Sequence, residues 1–110
     1  MKTHPDFILR QIAGENILVP CGESARQLSG LINMNSTAAF IWQNLDDAKN
    51  LDELTARLMD HFEIDGETAR RDVNGLTAEL ILLGIVLMEE GDKMPPHPMI
   101  RQEQQTEEKK

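Results

Sequence analysis

Cys21 is the only thiol in the chain, and a thiolate beside a histidine base would make a nucleophile. The histidines do not supply that base: His4 and His97 lie in the terminal segments, and His61 falls at the end of a helical stretch. Cys21 therefore reads as an inert thiol, buried or half-exposed. Gly22-Glu23-Ser24-Ala25-Arg26 begins like a nucleophile elbow, but Arg26 stands where the second glycine must be. Asp60-His61-Phe62-Glu63-Ile64-Asp65 collects four potential metal ligands. Their spacing fits no calcium loop, and no second His or Cys lies at ligand spacing, so a helix end followed by a cap explains them. No glycine-rich segment precedes a Lys and a Ser or Thr, so no phosphate loop is present. These residues predict no catalytic group, no metal and no cofactor, and so a protein that is not an enzyme.

What remains is the chemistry of the main chain. Gly30-Leu31-Ile32-Asn33-Met34-Asn35-Ser36-Thr37-Ala38-Ala39-Phe40-Ile41-Trp42 starts extended and ends helical. Leu31, Ile32 and Met34 read as a short strand after a glycine. Asn35 or Ser36 can cap the helix that follows. Ala38, Ile41, Trp42 and Leu45 then share one helical face, which ties the strand to the only Trp. A strand with one unpaired edge can accept an extended peptide by β-augmentation. Alternatively, the chain's own tail or a second copy covers that edge.

The other elements must position this strand. Phe7-Ile8-Leu9-Arg10-Gln11-Ile12 and Ile17-Leu18-Val19 read as two strands of a hairpin, with Ala13-Gly14-Glu15-Asn16 as a four-residue loop and Pro20 as the stop. The polar run Cys21 to Ser29 reads as a connector, and residues 30–34 as the third strand. The first helix spans residues 36–45, broken by Asp46-Asp47-Ala48-Lys49. Asn50 with Glu53 looks like a capping box for the second helix, whose buried stripe is Leu51, Leu54, Leu58 and Phe62. Asp65 caps the third helix. Its seam is Ala69, Val73, Leu76, Leu80 and Leu83, and Gly84 ends it. Ile85-Val86-Leu87-Met88 is a candidate final strand. Residues 91–110, with Met94-Pro95-Pro96-His97-Pro98 and a polar end, read as a disordered tail after a domain of residues 1–90. The pattern predicts an α+β winged helix-turn-helix: a three-stranded N-terminal β-region, three α-helices and a short C-terminal strand.

Composition narrows the partners. The 110 residues predict one domain, and at 40% hydrophobic it can form a modest core. No apolar run approaches membrane-span length, the first residues are too polar for a signal peptide, and a single Cys fits a reducing cytoplasm. The net charge is −8. Residues 1–90 hold 7 basic and 15 acidic side chains, and residues 91–110 hold 4 of each, so the domain carries the whole imbalance. Such a surface repels phosphate backbones and anionic lipid, which argues against nucleic-acid and membrane partners. A winged-helix regulator would use its third helix on DNA, yet that helix sets Arg70 and Arg71 against Glu67, Asp72 and Glu79. DNA binding and a purely homo-oligomeric scaffold are the alternatives to peptide capture.

The segment Gly30 to Trp42 resembles the core signature of the PqqD family, the PqqD-like peptide-binding domains also called RiPP recognition elements. The acidic turn Asp46-Asp47, the capped Leu51-Asp52-Glu53-Leu54, and Ala69-Arg70-Arg71-Asp72-Val73 with Leu76, Leu80 and Leu83-Gly84-Ile85 agree with it. The resemblance covers roughly residues 5–88. The connector Pro20-Cys21-Gly22-Glu23-Ser24 and the exit Gly84-Ile85 differ from the pyrroloquinoline quinone protein, which implies a member serving another modified peptide. The resemblance implies a non-catalytic adaptor. It would bind the leader of a ribosomally made precursor peptide and hand it to a modifying enzyme, often of the radical S-adenosylmethionine type. The leader would add as a strand along Ser29, Gly30, Leu31, Ile32 and Asn33. It would lie against Arg70, Asn74, Thr77 and Ile81 of the third helix. A homodimer through the same edge stays open.

Overall fold

The computed structural model describes residues 1–23 and 31–96. Among the described residues eight elements follow in order: β1 (Lys2–Thr3), β2 (Phe7–Ile12), β3 (Glu15–Pro20), β4 (Ile32–Met34), α1 (Ser36–Leu45), α2 (Leu51–His61), α3 (Gly66–Leu82) and β5 (Val86–Leu87). The strands make two small antiparallel sheets, β2-β3-β4 and β1-β5. The fold is α+β, with the three predicted helices in the predicted order and the last strand in place.

The helices follow from their caps and stripes. Asn35, Asn50 and Asp65 each accept, through a side-chain oxygen, the backbone N–H three residues on, at 2.8, 2.8 and 2.7 Å. The Thr68 N–H donated to Asp65 holds that carboxyl below its usual 3.8. Glu53 completes the start of α2 by accepting from Lys49 N, one residue before the position a capping box would use. At the other end of α3, Gly84 takes φ +78°. Its N–H donates to Ile81 O, and that of Ile85 to Leu80 O, the paired bonds of a Schellman ending. Leu83 is then turned outward and is 50% exposed, so it leaves the seam the sequence assigned it.

The hairpin is tighter than predicted. Ala13 (φ +53°) and Gly14 (φ +81°) alone form the turn, with positive φ at both positions as a type I′ turn requires. Glu15 and Asn16 therefore join β3, and Pro20 is paired with Phe7 rather than ending the strand early. An alanine in the left-handed region carries no sequence signal comparable to Asn-Gly.

Leu18, Ile41, Leu54, Leu58, Val73, Ile85 and Val86 form the centre of the core, with Trp42 at its margin at 8% exposure. The N-terminus closes one side. His4 N donates to Ile85 O at 2.8 Å, and Thr3 donates through N and Oγ1 to Asp46, both at 2.7 Å. So Asp46 does more than break a helix: it clasps β1. The Met1 ammonium reaches Asp92 Oδ2 at 2.7 Å and Glu89 Oε1 at 3.1 Å. Burial alone would lower the ammonium's pKa, but bonding to Asp92 and Glu89 outweighs it and raises the pKa above 8.0. Pro95 is buried. Contacts with the domain thus extend past residue 90 to Asp92 and Pro95, and the predicted tail from residue 97 on lies outside the described residues.

Candidate functional site

The predicted third strand is β4, and it is the last strand of its sheet. It pairs with β3 alone, through Asn16↔Met34, Ile17↔Asn33 and Leu18↔Ile32. Among the described residues no strand pairs its outer edge. Met34 is buried and Ile32 packs against the core, while Asn33 points to the exposed face. This alternation anchors the strand from one side only. Leu31, just ahead of it, is 58% exposed, a large apolar side chain beside an open edge.

A groove of about 270 Å³ begins at Asn35, the residue after β4. Thr37, Ala38 and Ile41 of α1 form one wall; Arg71, Asp72, Gly75, Leu76 and Glu79 of α3 form the other. Ile41 is buried, and Ala38 and Leu76 pack against the core, so these apolar side chains lie at the floor, while Asn35 and Thr37 make the lining partly polar. The rim is polar and carries both signs of charge. Arg71 pairs with Glu67 at 3.7 Å, and both are exposed, so the pair contributes roughly 0–1 kcal/mol. A second hollow of about 400 Å³ runs past Gly14, Glu15, Asn16, Asn33 and Met34, and Asn35 borders both.

The predicted site residues divide. Leu31, Ile32 and Asn33 lie at the open edge; Ser29 and Gly30 lie outside the described residues. The four helix positions do not line the groove. Arg70 turns to α2 and bonds Asp52 Oδ1 at 3.0 Å. Asn74 is half-buried, and Ile81 packs against the core. Thr77, predicted as a flanking contact, is 1% exposed, and its Oγ1 has no hydrogen-bond partner. The physical reason is angular. A helical seam at Ala69, Val73, Leu76 and Leu80 has two flanks roughly opposite one another. The flank of 70, 74, 77 and 81 turns toward α2 and the core, and that of 71, 72, 75 and 79 turns toward α1 and β4. Periodicity does not say which flank faces the sheet. Gly75, a glycine in mid-helix, was the available signal for the second.

The remaining chemistry is sparse. Among the described residues no cluster of three or more His, Cys, Asp or Glu could hold a metal ion. Cys21 is half-buried. His61 stacks on Phe40 at 4.5 Å and meets Phe62 edge-on at 4.8 Å, so it is used in packing.

Comparison with known proteins agrees with this architecture. No curated protein matches the chain significantly. A solved structure of TbiB1 in complex with the TbiA(beta) leader peptide is similar in fold, with a TM-score of 0.62 at 18% identity, over 84% of this chain and 99% of that one. The sequence profile of coenzyme PQQ synthesis protein D (PqqD) matches residues 22–86, which span β4, all three helices and the first residue of β5, and the chain therefore belongs to the PqqD family.

Proposed function

We propose that this protein captures the leader of a ribosomally made precursor peptide by strand addition and presents it to a modifying enzyme. The observation that carries the proposal is the outer edge of β4, which no described strand pairs, continuous at Asn35 with a groove against α3. An extended peptide would pair with main chain at Leu31, Ile32 and Asn33, continuing along Ser29 and Gly30. Its alternate side chains would enter the groove over Ala38, Ile41 and Leu76. Family membership supports this reading, as does a fold shared with TbiB1, whose structure holds a leader peptide. The protein acts by binding, and its client is an enzyme of the radical S-adenosylmethionine class working in the cytoplasm. Among the described residues no helix is long and apolar enough to cross a membrane.

The test is a fluorescence anisotropy titration with labelled synthetic leaders of candidate short precursor peptides from the source genome. Saturable one-to-one binding supports capture. Absence of binding, together with concentration-dependent sedimentation of the protein alone, would favour a scaffold that dimerises through the same edge. A sequence-selective mobility shift would favour DNA, although Arg70 and Arg71 of α3 are already matched by Asp52 and Glu67.

A further inference from the structure

We propose that Gly75 is a specificity-determining notch in the groove, where one bulky apolar side chain of a captured peptide replaces the side chain that α3 lacks. The inference rests on the peptide-capture reading and adds what the site selects. Gly75 stands in the middle of α3, far from either cap. A glycine there destabilises the helix relative to alanine, so its presence calls for a reason. The backbone supplies none, because Gly75 does not have the positive φ that requires glycine, as Gly84 does. Close packing supplies none either: a Cβ built on Gly75 would meet nothing within 4 Å. The glycine at the start of the same helix differs, since a Cβ on Gly66 would touch Met59 Cε at 3.5 Å.

The space that Gly75 leaves belongs to the groove. Ala38, small, faces it across the gap, with Ile41 and Leu76 beneath, so the space is apolar at its base. Arg71 and Glu79 stand four residues to either side and Asp72 lies beside them, so the rim carries one positive and two negative charges above the apolar base. Selection at this point is by size and apolarity. The occupant is a leucine-sized or aromatic side chain on an extended peptide whose backbone is held by the adjoining edge of β4. The open edge points to such an occupant, because strand pairing presents every second side chain to the same face.

Wild type, Gly75→Ala and Gly75→Leu are compared in two measurements. Thermal melts come first: Gly75→Ala fills open space in a helix and raises Tm by a few degrees. Each folded protein is then used to select from a displayed library of random linear peptides. Wild type enriches peptides with a large apolar residue at one fixed position. Gly75→Leu binds those peptides roughly tenfold or more weakly and enriches small residues there instead. Should Gly75→Leu fail to fold, Gly75→Ala carries the test with a loss of roughly threefold or more despite its higher Tm. Binding of the wild-type-selected peptides by the folded variants within about twofold of wild type overturns the notch. If those peptides still shift the amides of β4, capture by strand addition stands and the notch alone falls. If wild type enriches no peptide at all, both proposals fall together.

Discussion

The two long flanks of α3 belong to one helix and one seam, yet they meet opposite fates. The flank at Arg70, Asn74, Thr77 and Ile81 is spent on the fold, with an ion pair to α2, a half-buried amide, a hydroxyl sealed from solvent and an isoleucine against the core. The flank at Arg71, Asp72, Gly75 and Glu79 borders a groove, and across it lie α1 and the end of β4. One flank completes the domain; the other is left unfinished beside a strand whose outer edge no described strand pairs. A surface incomplete in both backbone pairing and side-chain packing is what strand addition requires.

The comparison can be broken outright at Trp42. Trp42→Ala removes the largest side chain that α1 buries in the core, at a cost of roughly 3–5 kcal/mol. For a domain of this size that removes most of the stability, so circular dichroism should show an unfolded or barely folded chain, and both flanks should be lost together. A folded variant that still binds peptide would contradict the packing described. Thr77 sharpens the contrast in the other direction. Thr77→Val replaces a buried hydroxyl that has no partner, and should raise stability by about 1 kcal/mol in urea melts while leaving peptide affinity unchanged. A loss of affinity would return Thr77 to the site.

Charge supplies smaller effects. Asp65 and Asp92 are held below their usual 3.8, by the Thr68 N–H and by the Met1 ammonium respectively. Carboxylates lowered on folding stabilise above 3.8 and lose that contribution as pH falls through their folded values. The Met1 ammonium, raised above 8.0, stabilises below 8.0 and loses that contribution as pH rises through its folded value. Stability measured by denaturant titration should therefore be flat between these limits and fall at both ends. A maximum at either extreme would contradict the ion pairs. The smallest effect belongs to Arg70→Ala. Its exposed pair with Asp52 contributes about 0.5 kcal/mol or less, and peptide affinity should not change, because Arg70 faces α2.

Much of this was legible in the chain. The three helices were set by local features, Asn35, Asn50 and Asp65 at their starts and Gly84 at the end of α3, and local features are what a sequence displays directly. The open strand was legible for the same reason: Leu31, Ile32 and Met34 run into an asparagine cap. What escaped was set by distance along the chain. β1 is two residues, too short for any period, and exists because Thr3 and Lys2 find Val86 and Leu87 more than eighty positions away. The tight Ala13-Gly14 turn depends on an alanine in the left-handed region, which the pairing of Ile12 with Glu15 enforces. The helix positions read from the sequence, Arg70, Asn74, Thr77 and Ile81, lie on the flank away from the groove, and periodicity alone does not choose between the two flanks. Only the placement of α2 against Arg70 and of α1 against Gly75 decides it.

The most direct measurement is a backbone amide titration of the labelled protein with a leader peptide that it binds. The account predicts the largest shifts at Leu31, Ile32 and Asn33 and at Arg71, Asp72, Gly75, Leu76 and Glu79, with Arg70, Asn74 and Thr77 nearly still. Shifts that spare the edge of β4, or that fall on the α2-facing flank of α3 instead, would contradict it.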